Sequence, residues 1–562
     1  VWSHFHVHST FSAGDALSSV AELVARAAEN DQPCLGLTDH GNMSGAVALY
    51  TECTKVGIAP FPGSEMYLVR DRADKKAKRY HLGVLATTSE GYRNLVALST
   101  RSHQQFFHKP LIDLSDLAEC YEAGGLRGLV ALSGCYSGLP IQDLLNYGPE
   151  AARATLALYD KWFDACYVEM MNHGITWDDG VTDGDLCDAL YDLAQQSGLP
   201  VLVTGDVHYA TGDQRALHDS LKRLVSYGSG DDDGVFRGDG YSLVPTAGIR
   251  ALHCPTHWAA GLSGQQNLQS RWDLTMPHLD KYQYRIPQIV ADPMFALRQR
   301  VSRGAVANPA VRFKYPGSES TLLDEELDVI EKTGMAGYLL LVAEVTNYLR
   351  EQGIVFQARG SASGSLVCYR LGITSLDPIK WKLRYERFIT TDRTKPPDVD
   401  LDVEWTRRHE VVNWLRSRFA VHQIGTFLEL AMGAEEGKGS LVVKYMAKAR
   451  ARGETPSWNE VPPEDKGMLA ALSRTGAYSG YGVHAAGLVV TTNDHEFDDL
   501  VPQMYVASSK TMVSQYDMGD IERLGLVKLD LLGLRALSTI RGCLETLDRD
   551  PAEGLDWIPL ND

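Results

Sequence analysis

Two histidines open the chain two residues apart, His6 and His8 in SHFHVHSTFSAGD, so that both imidazoles leave one face of a strand. A lone histidine is more often a satisfied core residue than a ligand. Here the ends of further apolar stretches repeat the pattern, with Asp39 and His40 in LTDHGN, Glu65 in GSEMY, His81 in RYHLGVLA, Cys135 in LSGCYSG, and Asp206 and His208 in TGDVHYA. Imidazole and thiolate favour Zn2+ and carboxylates admit Mn2+ or Mg2+, so the set suits two or three divalent ions. A second pattern is TKPPDVDLDVEW, residues 394–405, where Asp398, Asp400 and Asp402 alternate with Val399, Leu401 and Val403. Period two places the three carboxylates on one side of a strand, neighbours about 7 Å apart, where like charges repel. Packing does not ask for that arrangement, and a bound cation does. Acids standing in water on a surface strand are the alternative.

Three other segments supply the remaining parts of phosphoryl-transfer chemistry. FQARGSASGSLVCYRLGI sets Arg359, Gly360, Ser361, Gly364 and Ser365 ahead of a helix, a small-residue turn whose backbone N–H groups suit a triphosphate. KLRYERF adds Arg384 and Arg387, and in GLVKLDLLGLRAL Lys528 and Asp530 share a face opposite Val527, Leu529 and Leu531. In isolation such an acid and base read as a cross-strand pair. Beside an aspartate triplet they are a third carboxylate and a cation for phosphates. A basic run, Lys438, Lys444, Lys448, Arg450 and Arg452, is a solvated helix face by default and a DNA-backbone contact if it lies near a nucleotide site.

The elements that must position these residues are legible as two α/β bodies. To about residue 225, short apolar strands alternate with amphipathic helices such as SVAELVARAAEN, the rhythm of a mainly parallel sheet or barrel. Residues 226–320 are richer in Gly, Asp and Pro and read as a connection; a second α/β body follows from TLLDEELDVIEKTG. At 562 residues the chain is long enough for about three or four domains. Nine scattered cysteines without CxxC spacing argue for reduced thiols. With no signal segment and no apolar run of membrane-spanning length, the expectation is a cytoplasmic protein with no membrane partner. The net charge of −18 gives no support to a polyanionic partner, although metal sites need surplus acids.

The blocks HFHVHSTFS, LTDHGNM, YHLGVLA, LSGC and DVHY resemble the PHP (polymerase and histidinol phosphatase) domain at the front of bacterial C-family DNA polymerases. Matched residue by residue, that family's metal ligands fall on His6, His8, Asp15, His40, Glu65, His81, Cys135, Asp206 and His208, with SAGDA around Asp15 departing from the family's usual DG pair. A complete set implies Zn2+ or Mn2+, two or three ions, and a 3′→5′ exonuclease; a cluster that only braces the fold is the alternative. The later segments, in their order, resemble the C-family palm, a polymerase β-like nucleotidyltransferase fold. This resemblance implies Asp398, Asp400 and Asp530 as catalytic carboxylates holding two Mg2+. It also implies Arg359, Gly360, Ser361 and Lys528 as triphosphate contacts, and primer–template DNA and dNTPs as partners. Lys438, Arg474 and His484 of the HAAG turn are the implied DNA contacts. Where the family reads GRGSGAGS this chain reads ARGSASGS, so Ala358 and Ala362 replace two glycines and a stiffer loop is expected.

The implied fold is α/β, a PHP-type distorted (β/α) barrel followed by a palm with an inserted small thumb. Its expected divisions are PHP 1–225, connection 226–320, palm 321–430, thumb-like 431–505 and palm again 506–562. No segment matches fingers, so the expectation is either a polymerase that needs a second polypeptide carrying fingers and C-terminal domains or an N-terminal fragment of a longer one. Two rival readings remain at this level: a PHP nuclease or phosphoesterase whose palm is only a fold, and a non-catalytic replisome subunit.

Overall fold

The computed structural model describes residues 2–178, 180–225, 235–276, 279, 284–302, 318–391, 397, 399–432, 440–451 and 458–550. The chain forms two compact units, each discontinuous in sequence. The first comprises Val1–Met276, Gly425–Gly482 and Asp499–Tyr516; the second comprises Pro277–Ile424, Val483–Asp498 and Asp517–Asp562. Among the described residues no helix is long and apolar enough to cross a membrane. All nine cysteines are free thiols.

The first unit is built on a seven-stranded sheet. Its strands are β1 (Cys34–Leu37), β2 (Ala59–Val69), β3 (Tyr80–Ala86), β4 (Ile112–Asp113), β5 (Leu129–Leu132), β6 (Ala165–Met170) and β7 (Val201–Val203). They follow the order β1-β2-β3-β5-β6-β7, with β4 beside β2. β3 is antiparallel to both neighbours, and the other pairs are parallel. Residues 4–8 form an extended segment that joins the two edges. Gly36 N–H donates to His4 O and Thr38 N–H to Val7 O on one side, while His8 N–H donates to Val207 O and Val207 N–H to His6 O on the other. The sheet is thereby closed into a distorted barrel, and His6 and His8 point from one face of this segment rather than from a regular strand.

Local sequence accounts for the helices around the barrel. Val20–Glu29 begins where Ser19 accepts the Glu22 N–H, and it buries Val20, Leu23, Val24 and Ala27, the i, i+3, i+4, i+7 stripe. Each such large aliphatic side chain stabilises by about 1.5–3 kcal/mol when fully buried. Part of the stretch expected to be a connection belongs to this unit. Helix Pro255–Gln269 lies so close to β7 that a Cβ on Gly264 would sit 1.8 Å from Val201 O. The stretch expected to be thumb-like is divided, with Gly425–Gly482 and Asp499–Tyr516 in the first unit and Val483–Asp498 in the second. Leu441, Leu469 and Leu472 share a core with Leu221 and Leu224 of helix Arg215–Val225. Strands β12 (Gln503–Val506) and β13 (Thr511–Ser514) form a hairpin in the same unit.

The second unit carries a five-stranded sheet. It consists of β8 (Phe356–Arg359), β9 (Asp400–Glu404), β10 (Ala420–Glu429), β11 (Tyr478–Thr491) and β14 (Lys528–Leu534) in the order β10-β11-β14-β9-β8, of which residues 425–429 of β10 and 478–482 of β11 are counted in the first unit. Val399, Leu401 and Val403 of the aspartate segment and Val527, Leu529 and Leu531 of the last strand enter one apolar core with the helix Ala336–Glu351. Asp400, Asp402, Lys528 and Asp530 therefore occupy the opposite face, as their alternation requires. Ala358 and Ala362, which replace family glycines, are both buried in that core.

Candidate metal centres

In the first unit the residues matched to the PHP ligand set converge. His6 Nε2 lies 3.3 Å from Glu65 Oε1 and 3.6 Å from Asp206 Oδ1; His8 Nε2 lies 3.3 Å from Asp206 Oδ1. His40 Nε2 is 2.6 Å from Asp15 Oδ2 and its Nδ1 is 2.8 Å from Glu65 Oε2, while His81 Nδ1 is 2.9 Å from Glu65 Oε1. His208 Nε2 is 3.4 Å from Asp15 Oδ2, and Cys135 Sγ is 3.4 Å from His81 Nδ1 and 3.5 Å from Glu65 Oε1. Donor atoms of His8, His40 and His208, of His6, His8 and Asp206, and of His40, Glu65 and His81 each fall within 4.8 Å of one another. Among the described residues, His6 Nε2, His8 Nε2, His40 Nδ1, His208 Nε2 and Glu65 Oε2 are buried and make no hydrogen bond of proper geometry, close as their neighbours lie. Buried polar atoms normally make such bonds, so inward-facing nitrogens and a carboxylate oxygen without them fit divalent cations.

An outer layer orients these donors. His6 Nδ1 is 3.1 Å from Glu169 Oε1, and Glu169 also accepts from Thr204 Oγ1 at 2.8 Å and Gly134 N–H at 3.1 Å. His8 Nδ1 meets Ser12 Oγ at 3.1 Å, which donates onward to Asp39 Oδ1 at 2.8 Å. Both arrangements use Nδ1 and leave Nε2 for the cluster, the role of a carboxylate behind a ligating histidine. Asp39, singled out in sequence beside His40, thus stands behind the cluster. Lys222 Nζ pairs with Asp15 Oδ1. Burial opposes ionisation of Asp15, but the hydrogen bonds to His208 and His40 and the charges of His208 and Lys222 outweigh it and hold the carboxyl well below its usual range. Burial, then the charges of His40 and His208, lowers His8 to about 3. At His40 burial is overcome by Asp15 and Glu65, which raise it to about 10. Sequence reasoning missed Glu169 and Lys222. The signal for the first was an acid inside ACYVEM, a strand buried at all six positions.

In the second unit the acids and bases of the palm segments line up across three adjacent strands. Asp400 of β9 is in register with Asp530 of the parallel β14 and with Arg359 of the antiparallel β8. Arg359 Nε is 2.9 Å from Asp402 Oδ2, and its Nη1 is 3.8 Å from Asp400 Oδ2. Lys528 Nζ is 2.9 Å from Asp530 Oδ2 and 3.3 Å from Glu522 Oε1. Among the described residues Asp530 Oδ1 is buried without a hydrogen-bond partner, so an all-oxygen site with one aimed acceptor fits Mg2+. Gly360 has a left-handed φ of 81°, the conformation that favours glycine, and a Cβ there would meet Asp400 Oδ2 at an ordinary 3.6 Å. Ser361 lies in the same turn, Gly360–Gly364. Asp398 and Lys438 lie outside the described residues. Arg474 is exposed in the first unit, and His484 belongs to the second. The His484 Nδ1 accepts the Gly487 N–H at 2.7 Å, which makes Nε2 the donor in the neutral ring.

The helix after this turn does not offer its N–H groups to a phosphate. Buried Glu326 accepts from Leu366 N–H at 2.8 Å, Val367 N–H at 3.0 Å and Ser365 Oγ at 2.7 Å, so those two N–H groups are already occupied. Burial, partly offset by those three donors, raises Glu326 to about 7. An acid whose folded-state value is raised contributes stability below its unfolded value and loses it as pH rises through the folded one. The wild-type chain should therefore lose on the order of 3 kcal/mol between pH 4.5 and 7 through this residue. Denaturant titrations of wild type and Glu326→Gln over that range check this; parallel pH profiles would refute it.

Comparison with known proteins agrees with this geometry. A sequence model of the PHP domain matches residues 4–173, and one of the bacterial DNA polymerase III alpha NTPase domain matches residues 297–533. DNA polymerase III subunit alpha of Thermus aquaticus is 29% identical over 100% of this chain and 53% of its own length. Those of Treponema pallidum (29%, 96% of this chain, 48% of the relative) and Mycobacterium tuberculosis H37Rv (28%, 100% and 52%) are similar to it in the same way. Along its whole length the chain is similar to DNA polymerase III alpha subunits. It spans about half the length of the curated relatives it matches. An amidohydrolase structure from Chromobacterium violaceum matches at 14% identity over 37% of this chain and 87% of that one, with a TM-score of 0.24, too low to carry an argument. The segment matched by the PHP model contains His6, His8, Asp15, His40, Glu65, His81 and Cys135, while Asp206 and His208 lie beyond it; the second matched segment contains Arg359, Asp400, Lys528 and Asp530.

Proposed function

We propose that the second unit carries the nucleotidyl-transfer site of a DNA polymerase and that the first carries a 3′→5′ exonuclease site. The observation that supports the reading most is the row Arg359–Asp400–Asp530 across β8, β9 and β14, on the face opposite the core. Asp398, Asp400 and Asp530 would hold two Mg2+. His6, His8, Asp15, His40, Glu65, His81, Cys135, Asp206 and His208 would hold two or three Zn2+ or Mn2+. Bound divalent ions supply charge neutralisation and a lowered pKa for the attacking hydroxyl or water. The chain's own residues do the rest. Arg359 and Lys528 compensate phosphate charge, the Gly360–Ser361 backbone approaches the triphosphate, and Asp402 holds the Arg359 guanidinium in place. Arg474 and His484 would contact primer–template DNA, and dNTPs are the second substrate.

The division proposed for the chain is PHP 1–225, connection 226–320, palm 321–430 and 506–562, and a thumb-like insertion 431–505. Nucleotide addition also calls for fingers, supplied by further sequence on the same chain or by a second polypeptide. The test has two arms, each with and without a chelator: degradation of a 3′-labelled single strand by this chain, and primer extension with the fingers-bearing region of a relative supplied. Metal-dependent product is expected in both. Degradation that survives chelation would overturn the exonuclease assignment, and extension that survives it would overturn the palm assignment.

A further inference from the structure

The N-terminal cluster forms the floor of a cavity of about 280 Å³, near the lower end of small-molecule sites. Its chemistry is of two kinds. The lining includes the cluster residues Asp15, His40, His81, Cys135, Asp206 and His208 and the apolar Ile141, Ile175, Trp177, Leu190, Phe236 and Tyr241, with Ser137, His173 and Asp183 also present. Of the six apolar side chains, Phe236 packs edge-on against His208, ring centroids 4.6 Å apart. At the mouth, Tyr136 is 41% exposed and stacks on Trp177, ring centroids 4.1 Å apart and planes 15° from parallel. Trp177 is held in place, its Nε1 donating to Asp183 Oδ1 at 3.0 Å and its backbone N–H to Val181 O at 2.8 Å. Tyr136 directly follows Cys135, so this pair is tied through the backbone to the cluster itself.

We propose that this chamber binds the terminal nucleobase of a single-stranded 3′ end, with Tyr136 and Trp177 as its stacking platform; the proposal rests on the exonuclease reading of the same cluster. A ligand that suits both kinds of lining must carry an anion and, within one nucleotide's reach, a flat apolar ring. A sugar phosphate or a bare phosphate would leave the aromatic side chains Tyr136, Trp177, Phe236 and Tyr241 without a ring to cover them. A terminal nucleotide satisfies both, and an ordered two-ring stack takes a third ring of any base, because every base has a π face. A base lodged there is out of its helix, so a frayed or mispaired end enters at lower cost than a paired one. Tyr136 and Trp177 are accordingly specificity-determining residues for unpaired ends, without reading base identity.

Binding and hydrolysis test this separately on the full chain. In EDTA, a single strand with 2-aminopurine at its 3′ terminus should be quenched on binding, and one with the probe several nucleotides inward should not. Tyr136→Ala and Trp177→Phe should weaken the terminal signal, Tyr136→Ala by roughly tenfold in affinity. With metal present, wild type should prefer a base-bearing 3′ end over an abasic one by a similar factor, through KM, and both variants should bring that ratio towards one. Equal quenching at both positions, or a ratio the variants leave unmoved, overturns the stacking subsite while the exonuclease stands. Loss of hydrolysis on every end with terminal quenching retained overturns the exonuclease reading instead. Hydrolysis of free dAMP alone, with no oligonucleotide degraded, overturns both.

Discussion

Asp530→Asn is expected to lower metal-dependent primer extension by about a thousandfold while leaving the melting temperature and DNA affinity close to wild type. The substitution keeps the side chain's shape and removes one charge from a buried position. Among the described residues Asp530 Oδ1 has no hydrogen-bond partner, and it stands on the strand neighbour of Asp400, so the change removes a cation ligand at Oδ1 and weakens the Lys528 pair at Oδ2. Metal stabilisation of transferring phosphates is worth several kcal/mol, and each 1.36 kcal/mol is tenfold in rate, which gives about three decades. Lys528 keeps Glu522 as a partner, so it is not stranded by the change. Asp402 makes an instructive contrast. Its carboxylate holds Arg359, so Asp402→Asn should act on the KM for dNTP more than on kcat. Extension by Asp530→Asn within threefold of wild type would remove the palm from the mechanism.

The second large effect concerns Glu65. Its two oxygens lie within 4 Å of His6, His8, His40 and His81, with Cys135 beside them. Glu65→Gln should reduce metal affinity of the N-terminal cluster by more than about a hundredfold, beyond what the loss of an outer-layer partner causes, and abolish 3′-end degradation with it. It should also destabilise the metal-free chain by on the order of 3 kcal/mol, because removing one side of a buried charge cluster leaves the other uncompensated. His40, raised to about 10 partly by Glu65, can shed its proton in the variant, which limits the loss. Metal content by mass spectrometry and melting with and without chelator measure the two parts. Full metal occupancy in the variant would show that Glu65 is not a ligand.

Residues that alternate with apolar neighbours are legible in the amino-acid sequence alone. Asp400, Asp402, Lys528 and Asp530 share a face because Leu401, Val403, Leu529 and Leu531 must share the other. His6 and His8 obey the same period, although they sit on an extended closing segment rather than in a strand. Glu169 is hidden for the opposite reason, since a strand buried on both faces shows no alternation to betray an acid. Lys222 sits on an amphipathic helix where a lysine is ordinary, and only the fold brings it to Asp15. The small-residue turn is legible, but not the fact that Glu326, 40 positions earlier than Leu366, occupies the helix N–H groups behind it. Unit boundaries are the least legible, because the core of Leu17, Tyr209 and Leu221 draws in Leu430, Leu441 and Leu472 from far along the chain.

That last core has a bearing on how the protein is made. When residue 276 leaves the ribosome, Leu17, Leu221 and Leu224 still lack the leucines that will cover them, and about two hundred more residues must be translated before Leu472 arrives. The barrel therefore spends much of its synthesis with a greasy flank in the open, dependent on chaperones or on speed, and a fragment cut at its apparent end would keep that flank for life.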